Sequence, residues 1–217
     1  CIRDSPDIVR VIKTPAGTKT GELRSLVVVK TPETVNVKIS NPDDSTVTMV
    51  SDALRVTVNT NTGAVSFATP SGSELLAEKG QGVTFTSVDD AGTPSYQVKS
   101  SFSLAPGEPI YGIGQVMDGT FNRRNTSYHL QNENMYTYSP YFISPEKGYA
   151  VYWDNYSISD FADTPEELTY TSLGKELDSL SDLVSFGVAP GMLVFNTMTA
   201  YGTSGIAPVS YTHLTLP

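Results

Sequence analysis

Cysteine is nearly absent: the 217 residues contain one, at position 1. A single thiol closes no intramolecular disulfide and excludes a Cys-rich metal centre. Two histidines, His129 and His213, leave little material for a zinc site. Positive charge is also scarce, with 14 Lys and Arg against 23 Asp and Glu and a formal net charge of −9. The deficit grows along the chain. Residues 1–110 carry 10 bases and 12 acids, whereas residues 111–217 carry 4 and 11. This balance excludes a nucleic-acid partner, which needs clustered Lys and Arg to displace phosphate counterions. No apolar run reaches the ~18–20 residues of a membrane span, and no basic-then-apolar leader is visible. Tyr111-Gly112-Ile113-Gly114-Gln115 lacks the third glycine and the following helix of a dinucleotide cradle. There is no Gly-x-Ser-x-Gly elbow. No cofactor and no metal are expected.

What the chain does contain is Thr, Ser, Val, Gly and Tyr in period-two order. Val35, Val37 and Ile39 alternate with Asn36 and Lys38; Leu54, Val56 and Val58 alternate with Arg55 and Thr57. After the turn Asn61-Thr62-Gly63, Val65 and Phe67 resume the pattern, which reads as a hairpin. Tyr96, Val98, Phe102 and Leu104 share one face, and Tyr149, Val151 and Trp153 repeat the motif. Alternation of this kind means one dry and one wet face, so the fold class is all-β, an antiparallel β-sandwich. Ile2 to Ile12 reads as the first strand. After Gly174 the character changes. Leu173, Leu177, Leu180, Leu183 and Val184 fall at helical spacing and predict a helix over Glu176–Val184 within an irregular or partly helical C-terminal tail.

The segment Tyr111–Tyr156 concentrates 11 of the 21 aromatic residues in 46 positions, interleaved with Asn, Gln, Arg and Asp. Rings that stack on sugar C–H faces, beside amides and guanidinium groups that pair with hydroxyls, suit carbohydrate contact. The competing reading assigns most of these rings to the core. The two glycines of the Gly-x-Gly turn are expected to permit a bend or bulge. Asn122-Arg123-Arg124-Asn125 is the one adjacent base pair in the acidic half and serves equally as a hydroxyl-binding fork or a solvated loop. Asp43-Asp44, Asp89-Asp90 and Glu166-Glu167 sit in loop-like contexts and read as solvated turns; adjacency makes no acid–base dyad, because neighbours on a strand point to opposite faces. Asp118 and Asp154 are the better contact candidates. His129 reads as a packed or half-exposed strand residue with no orienting carboxylate in view.

Three segments together resemble one family. Ser5-Pro6-Asp7-Ile8-Val9-Arg10-Val11 is similar to its first strand. Tyr111-Gly112-Ile113-Gly114-Gln115 is similar to its Tyr-Gly-Leu-Gly segment. Tyr141-Phe142-Ile143-Ser144 and Lys147 through Tyr156 resemble its Pro-Phe-x-x-Ser and Gly-Tyr-…-Trp-Asp-Asn run. The family is glycoside hydrolase family 31, the α-glucosidase and α-xylosidase group, with the Asn-x-Arg-Asn form most like bacterial α-xylosidases. The resemblance implies a galactose-mutarotase-like sandwich over residues 1–172. It further implies a (β/α)8 barrel after it, carrying the aspartate nucleophile and the aspartate acid/base of a retaining α-glycosidase. Neither aspartate is assigned within this chain. The substrate, an α-linked oligosaccharide or glycan, would be met by a loop over the barrel mouth. On matching positions that loop places Arg124 and Asn125 first for sugar contact, with Asn122, Gln131 and Asn132 beside them. Asn125 stands where many members carry Gly or Asp.

Residues 173–217 depart from the family pattern. Cys1 reads as the interior of a longer frame, and Val209–Pro217 resembles a tail found on truncated reads, so a reading-frame slip near Leu177 and a non-native tail are expected. A periplasmic or cell-surface setting follows from the resemblance. The alternative function is a stand-alone carbohydrate-binding or adhesive sandwich without catalysis. A free mutarotase would need a base and an acid flanking the sugar, which two histidines supply poorly.

Overall fold

The computed structural model describes residues 2–17, 25, 27–28, 34–133, 136–174 and 182–186. Among these residues the chain forms strands and no helix. In chain order they are β1 (Ile2–Ser5), β2 (Ile8–Lys13), β3 (Lys38–Asp43), β4 (Thr46–Val50), β5 (Arg55–Asn59), β6 (Val65–Ala68), β7 (Glu74–Asp90) and β8 (Thr93–Ser103). There follow β9 (Tyr111–Gln115), β10 (Ser127–Leu130), β11 (Thr137–Ser144), β12 (Tyr149–Trp153), β13 (Ser159–Asp163), β14 (Leu168–Gly174) and β15 (Asp182–Phe186). The first run is a hairpin rather than one strand, because the chain turns at Pro6-Asp7. Proline brings a fixed φ and no amide hydrogen to that turn.

Two antiparallel sheets face each other, one ordered β1-β2-β15-β12-β11-β9 and the other β10-β13-β14-β8-β7-β6-β5-β4-β3. The expected sandwich is therefore present. Its centre is Trp153, fully buried, which stacks on Tyr170 of the opposite sheet with centroids 4.4 Å apart and planes 6° from parallel. Phe142 at 5.6 Å and Phe102 at 6.1 Å complete the contact. Val9, Val11 and Val151 supply one wall and Val56, Phe67 and Phe161 the other. Each large ring removes ~150–250 Å² from water, on the order of 4–6 kcal/mol of transfer free energy before the entropy of ordering.

An ion pair ties the layers. Lys13 Nζ on β2 donates to Glu78 Oε2 on β7 at 2.6 Å, and the same oxygen accepts the Val65 N–H at 2.6 Å. The Glu78 side chain is wholly buried, so the lysine offsets the cost of desolvating its charge.

The Tyr-Gly-Ile-Gly segment forms β9 and meets β11 across an irregular register between Tyr138 and Phe142. Gly112 and Gly114 have φ of 130° and 95°. A Cβ at Gly112 would strike the Tyr141 carbonyl, and one at Gly114 the Thr137 carbonyl. These glycines bring two backbones together, the bulge that their spacing suggested.

The helix expected over Glu176–Val184 is corrected where the chain is described. Asp182–Phe186 is a strand between β2 and β12, with Val184 opposite Val11 and Ser185 opposite Tyr152. Open strand edges on both sides outweigh a local leucine spacing that a buried strand can also accommodate. Residues 175–181 and Val209–Pro217 lie outside the described residues.

Candidate functional site

Residues 116–126 connect β9 in one sheet to β10 in the other, and this crossover is held from within. Asn122 Oδ1 accepts the N–H of Ile110 and of Arg124, both at 3.2 Å. Arg123 is 5% exposed. Its Nη1 donates to Asp118 Oδ1 at 3.1 Å and to the Tyr128 hydroxyl at 2.8 Å, and its Nε to the Gly112 carbonyl at 3.3 Å. Arg124 reaches across to the nine-stranded sheet. Its Nε donates to Asp163 Oδ2 at 2.8 Å, and its Nη1 to the carbonyls of Ala105 at 3.0 Å and Glu108 at 2.6 Å. The Asn125 N–H donates to the same Asp163 oxygen at 2.7 Å. Asn125 has φ 56°, in the left-handed region that Gly and Asn tolerate best.

Beneath the crossover, buried Glu108 accepts hydrogen bonds from Ser144 Oγ at 2.6 Å, the Tyr149 hydroxyl at 2.7 Å and the Ala105 N–H at 3.0 Å. Burial, then the charge of Glu108, pushes the Tyr149 phenol well above its ordinary range. At the surface, Asp118 is held down to about 2, first by the Tyr128 hydroxyl, then by the Thr120 N–H, with Arg123 adding to both. Phe121, 78% exposed, rests against Tyr111 with centroids 4.9 Å apart.

A cleft of about 420 Å³ lies where the β10–β11 connection meets the turn after β12. Leu130, Asn132, Tyr138, Tyr152, Tyr156 and Ile158 are among its walls. Asn132 Oδ1 accepts the Tyr138 N–H at 2.6 Å. The Tyr156 hydroxyl donates to Asp154 Oδ1 at 2.8 Å, and the Tyr152 hydroxyl approaches the same atom at 3.5 Å. Asp154 is fully buried. Burial raises its carboxyl above the usual range, opposed by Ser25, Tyr156 and the charge of Arg10. Among the described residues no three His, Cys, Asp or Glu side chains converge on a metal site, and no helix is long and apolar enough to cross a membrane.

The profile of the glycosyl hydrolase 31 N-terminal galactose mutarotase-like domain matches residues 4–161. The chain belongs to the glycosyl hydrolase 31 family. An alpha-xylosidase of Saccharolobus solfataricus is 28% identical over 163 residues, which is 71% of this chain and 22% of that protein. Alpha-xylosidase A of Aspergillus niger is 37% identical over 59 residues, 27% of this chain and 8% of the relative. The crystal structure of a family 31 alpha-xylosidase from Xanthomonas citri superposes with a TM-score of 0.63 at 27% identity, covering 74% of this chain and 17% of that one. A soil-metagenome alpha-xylosidase solved with xylose shares the fold at a TM-score of 0.65 and 22% identity, covering 76% of this chain and 26% of that one. The chain thus spans about a quarter or less of the lengths of these relatives.

Within this family 31 sandwich, the residues expected to contact sugar divide into two groups. Asn122, Arg124 and Asn125 share the crossover, while Asn132 stands apart at the cleft. Arg124 commits Nε and Nη1 to internal acceptors and is a clamp in the geometry shown. Asp154, expected as a contact, is buried beneath two tyrosines instead; the alternation that puts Trp153 in the core gave no sign of this, because the strand ends there. Asp118 is exposed but tied to Arg123 and Tyr128. His129 is exposed on β10 and does have a carboxylate partner, Asp160 Oδ1 at 2.7 Å on β13. The pair escaped sequence reading because strand register sets it over a separation of 31 residues. In the aromatic segment only Phe121 and Tyr156 are exposed. Of its eleven rings, Phe142, Tyr149 and Trp153 are buried, with Tyr128 and Tyr138 packed against the core. Missed altogether were Asp163 and Glu108, the acceptors that hold the crossover.

Proposed function

We propose that this chain is the N-terminal sandwich of a retaining α-glycosidase of the α-xylosidase type. In this reading the longer protein carries a (β/α)8 barrel with both catalytic aspartates, a pair that retention requires ~5–5.5 Å apart on one rigid frame. The sandwich supports the barrel and offers the crossover to an α-linked oligosaccharide. The observation that carries the proposal is the doubly clamped crossover: Arg123 and Arg124 pin a short exposed loop to both sheets. A loop held this firmly can present donors with little ordering cost on binding. Asn122 has committed its Oδ1 inward, so its Nδ2 remains as donor, as does Nη2 of Arg124. The side chain of Asn125 is exposed beside them, and Asn132 would contribute from the cleft. A periplasmic or cell-surface setting, and a domain boundary near residue 172 with a frame-slipped tail beyond, belong to the same proposal. Resequencing the parent gene tests the boundary.

The deciding experiment is hydrolysis of an aryl α-xyloside. The full-length gene product is expected to cleave it with retention, and the 217-residue chain to release nothing. Turnover by the short chain alone contradicts the proposal. The cleft favours a second reading, carbohydrate binding by the sandwich itself.

A further inference from the structure

We propose that Asp118-Gly119, on the crossover, is a site of covalent self-modification, succinimide formation followed by isomerisation to isoaspartate, and that Tyr128 and Arg123 hold this reaction off. It is the one Asp-Gly pair in the sequence, which has no Asn-Gly pair. Ring closure needs a main-chain nitrogen that can reach the carboxyl carbon, and the nitrogen of a glycine is the least hindered. Gly119 is exposed with φ 75°, and nothing lies within 4 Å of the place a Cβ would take.

The reaction balances with water alone. The Gly119 nitrogen gives up its proton and bonds to Asp118 Cγ. One carboxylate oxygen leaves as water, taking that proton and one from solvent, and a five-membered cyclic imide remains. Water then opens the imide at either carbonyl. One opening restores aspartate; the other routes the main chain through Cβ and gives isoaspartate of the same mass.

The imide keeps one of the two oxygens and none of the charge, and the fold binds both. The Tyr128 hydroxyl donates to Asp118 Oδ2 at 2.6 Å and the Thr120 N–H to Oδ1 at 2.9 Å. Arg123 Nη1 donates to Oδ1 at 3.1 Å and to Oδ2 at 3.2 Å. Donors of this kind favour the ionised carboxylate over any neutral product, so each contact raises the barrier to ring closure. The depressed titration of Asp118, to about 2, acts in the same direction, because the protonated acid is the form that releases water readily. Tyr128 is itself held, by its stack on Phe161 at 6.4 Å and by the Arg123 guanidinium 5.2 Å from its ring centroid.

Isoaspartate lengthens the main chain by one methylene and shortens the arm of the carboxylate by one. Arg123, 5% exposed, then loses its ionic partner, and the crossover loosens. None of this chemistry depends on an attached barrel.

The test incubates the 217-residue chain for several weeks at neutral pH and body temperature. Isoaspartate at position 118 is measured by peptide mapping and by methyl transfer from an isoaspartyl methyltransferase. A synthetic peptide spanning Gln115–Asn122, which lacks both Tyr128 and Arg123, sets the unlocked rate. The folded chain is expected to isomerise ~10-fold or more slowly than the peptide. Tyr128→Phe keeps the ring on Phe161 and removes the hydroxyl, and it is expected to speed the reaction ~5-fold or more. Near-UV circular dichroism confirms that this variant is folded; if it is not, the ratio of wild type to peptide carries the test. A folded wild-type rate within ~2-fold of the peptide overturns the proposal. So does a folded Tyr128→Phe chain that ages no faster than wild type, or isoaspartate that accumulates elsewhere and not at Asp118.

Discussion

Arg124 and Asp163 show how far a single side chain's role depends on its surroundings. The Asp163 side chain is 1% exposed and that of Arg124 15%, so truncating the arginine strands a buried carboxylate. Removing one partner of such a pair costs about 3–5 kcal/mol. Arg124→Ala is expected to lower unfolding free energy by about 3 kcal/mol in urea titration, with Arg124→Lys recovering part of it, because lysine keeps the charge but not the fork. A loss under ~0.5 kcal/mol would mean the clamp is ornamental. Two exposed groups make opposite pH predictions. Asp118, at about 2 in the fold against an ordinary 3.8, contributes stability fully present above pH ~4 and lost as pH falls through 2. His129, raised above 6.5 first by its hydrogen bond to Asp160, contributes stability fully present below 6.5 and lost as pH rises through its folded value. NMR titration of the imidazole should give a midpoint above 6.5 that drops in Asp160→Asn.

Among elements, β9 is the strand whose position depends most on residue size. Gly114→Ala places a methyl against the Thr137 carbonyl and forces an alanine to φ 95°. Either effect alone is unfavourable, and together they are expected to cost about 3 kcal/mol or more. Hydrogen exchange should show β9 and β11 opening first, and protection unchanged from the wild type at Tyr138 and Phe142 would contradict this. The alternating runs of β5, β6, β8 and β12 were legible in the sequence because each places every second residue in the core. The strand over Asp182–Phe186 was not, because Leu183 and Val184 serve a helix face and a strand equally. Pairing to β2 and β12 decided between them.

For the molecule as a whole, the exposed apolar side chains mark one stretch of surface. Phe121 and Met117 are 78% and 59% exposed on the same crossover. Large apolar groups in water favour association. The isolated chain is expected to self-associate at high concentration, and Phe121→Ser to reduce this in light scattering. A monodisperse wild-type monomer would contradict that expectation. On the proposal that a barrel is attached, that domain would cover these side chains.

Period-two alternation and the order of the Tyr-Gly-x-Gly and Trp-Asp-Asn segments were enough to read an antiparallel sandwich and its family, because both are local and survive without knowledge of partners. The destination of each polar group was not local. Asp163 lies 39 residues from the arginine it holds, and Glu108 36 from Ser144. Asn125 looked like a contact and proved also to be a left-handed turn residue. Strand register and the facing of two sheets bring such residues together, so the clamp, the buried Asp154 and the cleft emerged from tertiary structure alone.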